Sequence, residues 1–435
     1  MPIDTKYKYM NINKMYRILP AALLKISCLL PAALLLVSVA SCDKVDKPGT
    51  GPVKPDTPTV KPGAGTITVQ WDGDAEKVCP GMYARVHSLN DGRYVMVYSV
   101  GYDGYLRYSS DGCKTWSDPQ KRFVSSSYTS AAGVMVANAE FLQLSATNPH
   151  KPGRMIYAAN LRPRSKMSSK TPYSIAIITS DDNGAKWSSI RTLYESKTWS
   201  EDVERGCYEP FLLELPDGTV QIYFADETPY YSSGKATYQN ISMIESKDGG
   251  ENWTSQRIVS YNAGYRDGMP VATLLNGMIY LAIEENGPGS KSFRPKIVCS
   301  SVADNWKTVV TGGSDYRFNP MKTAFNSDKV YAGAPYIIHT DNYIVLSYQS
   351  SEGSASMGTQ YATMELAFCA VNEMRSGKFS GLMRDTVRPF DVDQTKSHAL
   401  WGSLCCIGGD SIIAVTEWDS AVWIRRGKIT TVASK

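Results

Sequence analysis

Histidine is scarce in this chain: His87, His150, His339 and His398 are the only four in 435 residues, and none stands at an HExxH-type spacing. A metallohydrolase centre built on paired histidines is thereby excluded. The nine cysteines include no CxxC pair and no Cys/His spacing of a zinc site. Adjacent Cys405 and Cys406 would form only a strained disulfide, so burial in a strand is the expectation for them. No serine nucleophile elbow occurs, which removes the serine-hydrolase reading. After residue 41 no long amphipathic helical pattern occurs, and nothing calls for a metal or an organic cofactor.

One long apolar run exists, Ile26 to Ala40, and it is short for a transmembrane helix. Lys14, Arg17 and Lys25 precede it and Val39-Ala40-Ser41-Cys42 closes it, an arrangement that resembles the lipobox of bacterial lipoproteins. The resemblance implies a signal peptide over 1–41, acylation of Cys42, and a protein anchored to a membrane outside the cytoplasm. An ordinary secretory signal is the alternative. Residues 42–66 are rich in Pro, Gly, Lys and Thr and read as a tether, leaving 67–435 as the folded body. Residues 1–41 hold five of the 46 basic and one of the 42 acidic residues, so 41 of each remain. A formally neutral body gives no electrostatic case for a nucleic-acid partner.

What the body does contain is a recurring turn. Ser180-Asp181-Asp182-Asn183-Gly184-Ala185-Lys186-Trp187 and Ser246-Lys247-Asp248-Gly249-Gly250-Glu251-Asn252-Trp253 both fit Ser-x-Asp-x-Gly-x-x-Trp. Ser109 to Trp116 is a third copy with Gly112 one place early and Cys113 where the glycine is expected; Ser300 to Trp306 is a worn fourth. Serine and aspartate can accept backbone N–H groups, glycine supplies positive φ, and tryptophan packs over the turn. The tryptophans are spaced 71, 66 and 53 residues apart, about one four-stranded blade per interval. The signature resembles the Asp box of sialidase-like β-propellers, and about 60 residues per blade predicts an all-β, six-bladed propeller. Strand-like runs support it at Tyr94–Val100, Met155–Ala159, Ser174–Thr179, Val220–Phe224, Ile279–Ile283, Tyr343–Tyr348 and Ile412–Thr416, several of them after Asn-Gly or Asp-Gly turns. Tyrosine outnumbers phenylalanine 27 to 10, which suits strands with a wet face and surfaces that bind sugars.

Chemistry at a propeller mouth calls for polar residues set in apolar strands. Glu209, in Tyr208-Glu209-Pro210-Phe211, is one, and its neighbours would desolvate it and raise its pKa toward that of a general acid. Glu284 and Glu285 end the apolar strand that begins at Met278, and alternation sends one to the mouth and the other away. Glu284 is the preferred candidate, with Glu285 close behind.

These segments, with Arg266-Asp267-Gly268-Met269-Pro270, Tyr83-Ala84-Arg85-Val86, Asn138-Ala139-Glu140, Asn160-Leu161-Arg162-Pro163, Gly333-Ala334-Pro335-Tyr336 and Trp401-Gly402-Ser403-Leu404, are similar to the pattern of glycoside hydrolase family 93. That resemblance implies an exo-acting arabinanase-type enzyme with a retaining mechanism, Glu209 as acid/base and Glu284 as nucleophile. It also implies that Arg85, Asn138, Asn160, Arg162, Arg266 and Tyr336 line a pocket for an oligo- or polysaccharide. Two other readings stand beside it. An exo-α-sialidase would use Arg85, Arg266 and Arg317 as a carboxylate clamp and Tyr336 or Tyr348 as the tyrosine, although the Arg-Ile-Pro motif of sialidases is replaced by Arg85-Val86-His87. A lipid-anchored propeller that binds glycans without catalysis is the third.

Overall fold

The apolar runs that follow the Gly92, Gly218 and Gly277 turns become strands Tyr94–Val100, Val220–Asp226 and Met278–Asn286, each the second strand of a four-stranded antiparallel sheet. They are the strongest signals because they are covered on both faces; every residue of Val220–Asp226 is buried. The computed structural model from which these strands are read describes residues 65–433 apart from 129–132, 165–170, 197–204, 234–237, 288–291, 355–360 and 375–378. The signal-like segment, Cys42 and the tether up to residue 64 lie outside the described residues.

Six such sheets form the blades. Blade I comprises Met82–Ser88, Tyr94–Val100, Asp103–Ser109 and Gln120–Phe123; blade II comprises Val134–Gln143, Met155–Pro163, Ser174–Ser180 and Arg191–Glu195. In blade III, Cys207–Glu214, Val220–Asp226, Asn240–Ser246 and Arg257–Tyr261 gain a parallel fifth strand, Val310–Thr311. Arg266–Leu275, Met278–Asn286, Arg294–Ser301 and Arg317–Phe318 make blade IV, and Ala332–His339, Tyr343–Ser350, Thr363–Ala370 and Arg384–Val387 make blade V. Blade VI takes Ala399–Gly408, Ser411–Trp418 and Ala421–Ala433 from the C-terminus and closes with Gly65–Trp71 from the other end of the chain. Gly65 pairs with Ala433 and Trp71 with Gly427, while Glu76–Pro80 pairs with the beginning of the same long strand. The first-listed strand of each blade is its innermost, and each contacts the innermost strand of the next around the full circle, blade VI meeting blade I. Among the described residues helix is confined to short 3₁₀ turns such as Ser125–Ser127 and Thr228–Ser233.

The recurring turns join the third and fourth strands, at the end of each blade remote from where the inner strands begin. In blade II, Ser180 Oγ accepts the Gly184 N–H at 2.9 Å and Asp182 accepts the Lys186 N–H at 2.8 Å. Blade III repeats this with Ser246 and Gly250 at 2.8 Å and Asp248 and Asn252 at 2.8 Å. The early glycine of the first copy has a simple cause. Gly112 and Cys113, like Asn183 and Gly184, both have positive φ, so glycine suits either place. The tryptophans fill the seams between blades: Trp306 of blade IV is 1% exposed, stands edge-on to Tyr223 of blade III at 6.0 Å, and donates its indole N–H to that hydroxyl at 2.8 Å.

A second six-fold feature sits at the opposite end, near the start of every inner strand. The pairing with the second strand slips by one residue, two inner-strand residues opposing one, at Tyr83-Ala84, Asn138-Ala139, Glu209-Pro210, Met269-Pro270, Ala334-Pro335 and Trp401-Gly402. The first residue of each pair is left-handed, with φ of 54°, 49°, 60°, 48°, 47° and 51° in blade order. A non-glycine residue there costs about 1–2 kcal/mol. The bulge turns its side chain out of the alternation of the strand and toward the centre of the ring. Tyr83, Met269, Ala334 and Trp401, from four different blades, accordingly pack into one cluster.

Candidate active site

Glu209 is the left-handed residue of blade III, so its carboxylate belongs to this converging set. Its Oε2 accepts the N–H of Met269, the equivalent residue of blade IV, at 2.9 Å. Glu284 comes from the second strand of blade IV, opposite Gly268, and its Oε2 accepts the N–H of Ala334, the left-handed residue of blade V, at 2.7 Å. The bulge thus frees a backbone donor from the ladder and offers it to a carboxylate of the preceding blade. Glycine makes room for Glu284. A Cβ on Gly333 would lie 2.6 Å from Oε2 and one on Gly268 would lie 3.3 Å from Oε1.

The next residue faces the other way. Glu285 accepts the Asn262 side-chain N–H at 2.9 Å, meets both the Nε and Nη2 of Arg317, and has Lys296 at 3.8 Å. Burial opposes its ionisation, but Arg317, Asn262 and Lys296 outweigh that and hold the carboxyl below its ordinary value. Arg317, on the short outermost strand of blade IV, is also bound to Asp267 of the innermost strand. Strand alternation therefore separates the two glutamates, Glu284 toward the bulge ring and Glu285 into a structural ion cluster.

Two arginines act on the pair, and a third supports the bulge ring. Arg162 of blade II donates to Asn160 Oδ1 at 2.6 Å and to Asn138 Oδ1, and its guanidinium lies 5.4 Å from the Tyr208 ring. Asn160 is fully buried and donates in turn to the Cys207 carbonyl at 2.7 Å, which ties Arg162 to the strand that carries Glu209. Arg266 of blade IV is held by Glu227 at 2.6 Å and by Gln239. Glu227 also accepts the Tyr208 hydroxyl at 3.0 Å. Arg85 is 2% exposed: it donates to the carbonyls of Ala84 and Trp401, lies 3.8 Å from Glu140, and packs its guanidinium on the rings of Tyr83 and Tyr336 at 3.8 and 5.3 Å. Tyr336 is 3% exposed. Of the residues expected to line a pocket, then, Arg162 and Arg266 keep partial access, Asn138 is nearly covered, and Arg85, Asn160 and Tyr336 stand behind the others as supports.

Burial raises the pKa of Glu209; Arg162, the Met269 N–H and Arg266 oppose it, and Glu227 adds to it. Burial also raises Glu284, the Glu209 charge adds to that, and only the Ala334 N–H and Arg266 oppose it. Both carboxyls are thus held above the ordinary carboxylate range, each charge opposes ionisation of the other, and Arg162 favours ionisation of Glu209. Two adjacent carboxyls, one able to keep a proton while the other is ionised, are the equipment for acid-assisted displacement at an acetal carbon.

Glu227 and Gln239 carry no signal in the sequence, and Tyr208, Gly333 and Trp401, although they fall in the segments named, have no binding role there. The available signal was the four-residue phase around each bulge, in which the second bulge residue is alanine, proline or glycine: Ala84, Ala139, Pro210, Pro270, Pro335 and Gly402. All six lie in segments quoted above, but their common phase is visible only once the inner strands are aligned.

No family model matches the chain, and no curated protein matches it in sequence. Solved structures match it in fold. The GH93 α-L-arabinofuranosidase of Fusarium graminearum in complex with arabinobiose has a TM-score of 0.60 at 16% identity, covering 82% of this chain and 98% of that one. The α-L-arabinanase of Penicillium chrysogenum, also with arabinobiose, has a TM-score of 0.59 at 17% identity over 84% and 98%. The NanB sialidase from Streptococcus pneumoniae has a TM-score of 0.51 at 12% identity over 82% and 70%. At such identities the likeness shows the fold, a sialidase-like six-bladed β-propeller.

Proposed function

We propose that this protein is an exo-acting glycoside hydrolase that cleaves an arabinan-type or related neutral polysaccharide with retention, through Glu209 and Glu284. The observation that carries the reading is the pair itself: two part-accessible glutamates on adjacent blades, each held by the left-handed N–H of the following blade. The arabinofuranosidase and the arabinanase that share the fold were both solved with arabinobiose, which supports an arabinose-containing chain as substrate. Glu209 protonates the leaving glycosidic oxygen while a Glu284 oxygen attacks the anomeric carbon. Water, deprotonated by Glu209, then releases the sugar from the glycosyl ester, a cycle that requires carboxyls about 5–5.5 Å apart. This division of labour needs a proton on Glu209 at the moment of attack, which burial favours and Arg162 opposes.

A sialidase needs three free guanidinium forks for one carboxylate. Here Arg85 is spent on two carbonyls, Arg266 on Glu227 and Gln239, and Arg317 on Asp267 and Glu285. Sugar release from linear arabinan and from sialyl-lactose separates these chemistries. We expect arabinose or arabinobiose from the first alone, with Glu209→Gln and Glu284→Gln each lowering kcat/KM by at least about 10³-fold. With an activated aryl arabinoside, azide should rescue Glu284→Ala to an inverted glycosyl azide and Glu209→Ala to a retained one; the opposite pairing exchanges the two roles, and free sialic acid or no turnover overturns the reading. We further propose acylation at Cys42 and a location on the outer side of a bacterial membrane, checked by fatty-acid labelling that is lost in Cys42→Ala.

A further inference from the structure

The six left-handed residues form the floor on which a sugar would rest, and they are unequal in access. Tyr83, Asn138, Met269 and Ala334 are 7%, 8%, 8% and 2% exposed, whereas Glu209 and Trp401 keep part of their surface open. These two belong to blades III and VI, three blades apart and so across the ring from one another. Trp401 borders the residues that hold both carboxylates, since it packs on Met269 and Ala334, whose N–H groups bind Glu209 and Glu284.

The backbone of Trp401 is also fixed. Its main-chain N–H donates to Gln349 Oε1 at 2.6 Å, its main-chain carbonyl accepts from Arg85 at 2.9 Å, and its side chain also packs with Phe293, Tyr331 and Leu400. Gln349 in turn donates to the Tyr331 hydroxyl at 2.7 Å. A large aromatic residue is held here in a backbone conformation that favours glycine, while both of its backbone polar groups are fastened by side chains of neighbouring blades. All six bulge residues share this strain; what sets Trp401 apart is a large aromatic side chain that stays partly exposed and so is available to a ligand.

We infer that Trp401 is the stacking platform for a sugar ring of the bound chain, on the side of the cleft where Glu284 stands. The inference rests on the glycosidase reading for its ligand class. The apolar C–H face of the sugar lies against the indole, and because the platform is already rigid, little side-chain entropy is lost on binding. Trp401 is on this account a specificity-determining residue outside the chemistry, and it sets an aromatic surface across the ring from Glu209.

Binding is measured in the full chain carrying Glu209→Gln, by calorimetry and by tryptophan fluorescence, with linear arabino-oligosaccharides and with sialyl-lactose. We expect arabino-oligosaccharide affinity to fall about tenfold or more when Trp401→Ala is added and to stay within about threefold for Trp401→Phe. The fluorescence change on binding should disappear in the Phe variant while calorimetric binding persists, which a merely structural role would not produce. Equal affinity with and without Trp401, survival of the fluorescence change in Trp401→Phe, or absence of sugar binding in every variant overturns the inference. Sugar binding that depends on Trp401, in a wild-type protein with no turnover, instead removes the hydrolase reading and leaves the platform standing.

Discussion

Side-chain volume measured against a fraction of an ångström decides most of what happens at Glu284. Gly333 is not among the left-handed residues, so alanine suits its backbone, yet an added methyl would lie 2.6 Å from Glu284 Oε2 and 2.7 Å from the Tyr331 hydroxyl. Something must move, and the carboxylate, held there by the Ala334 N–H, is the lighter group. Gly333→Ala should therefore leave the fold intact and lower kcat by about 10²-fold, the cost of misplacing a reacting group by about 1 Å. A melting temperature near wild type together with lost turnover is the expected pair of results, measured on linear arabinan; unchanged kcat would show that the carboxylate is not confined as described. The choice between Glu284 and Glu285 could be framed from sequence, because strand alternation separates neighbours. It could not be decided there, because the Arg317 that holds Glu285 comes from a two-residue strand with no periodicity of its own.

Among the elements, visibility in sequence followed burial. The central strands were legible because both faces are covered and their apolar runs are continuous, whereas Gln120–Phe123, Arg191–Glu195 and Arg317–Phe318 are short, half-wet edge strands. The recurring turns were legible because serine, aspartate, glycine and tryptophan each have a separate physical duty there. What the turn motif alone does not tell is that its tryptophan serves the seam with the preceding blade. Trp306 is 1% exposed and its indole N–H is bonded to Tyr223 across that seam. Trp306→Ala should open a cavity there and leave the Tyr223 hydroxyl one partner short, costing about 3–5 kcal/mol. The melting temperature is expected to fall by roughly 5 °C. Since the seam lies remote from the bulge ring, KM of the surviving folded enzyme should be unchanged; a large KM effect would mean that blade packing and the mouth are coupled.

At the scale of the whole molecule, the two ends of the propeller do opposite work. Six blades were countable from tryptophan spacing, but ring closure was not, because Gly65–Trp71 follows directly on the Pro- and Gly-rich stretch and its partner, Ala421–Ala433, lies at the other end of the chain. Ile67 and Val69 are 2% and 7% exposed, so this strand contributes core as well as hydrogen bonds. Against that stabilisation stand six left-handed non-glycine residues and two desolvated carboxyls gathered at the mouth. The carboxyls make the balance depend on pH. Glu284 has a folded-state pKa pushed up to about 8, above the roughly 4.3 of an unfolded glutamate. Between those values the native state binds more protons than the unfolded state, so its stability declines as pH rises. Glutamine keeps an oxygen for the Ala334 N–H and carries no charge, so Glu284→Gln should melt higher than wild type at pH 8 and lose that advantage below about pH 4. Thermal melts of both proteins across this range are the check. An inactive variant that is also more stable near neutrality would show that the fold gives up stability to keep an ionisable pair at its mouth, whereas a variant less stable at every pH would assign Glu284 to the architecture.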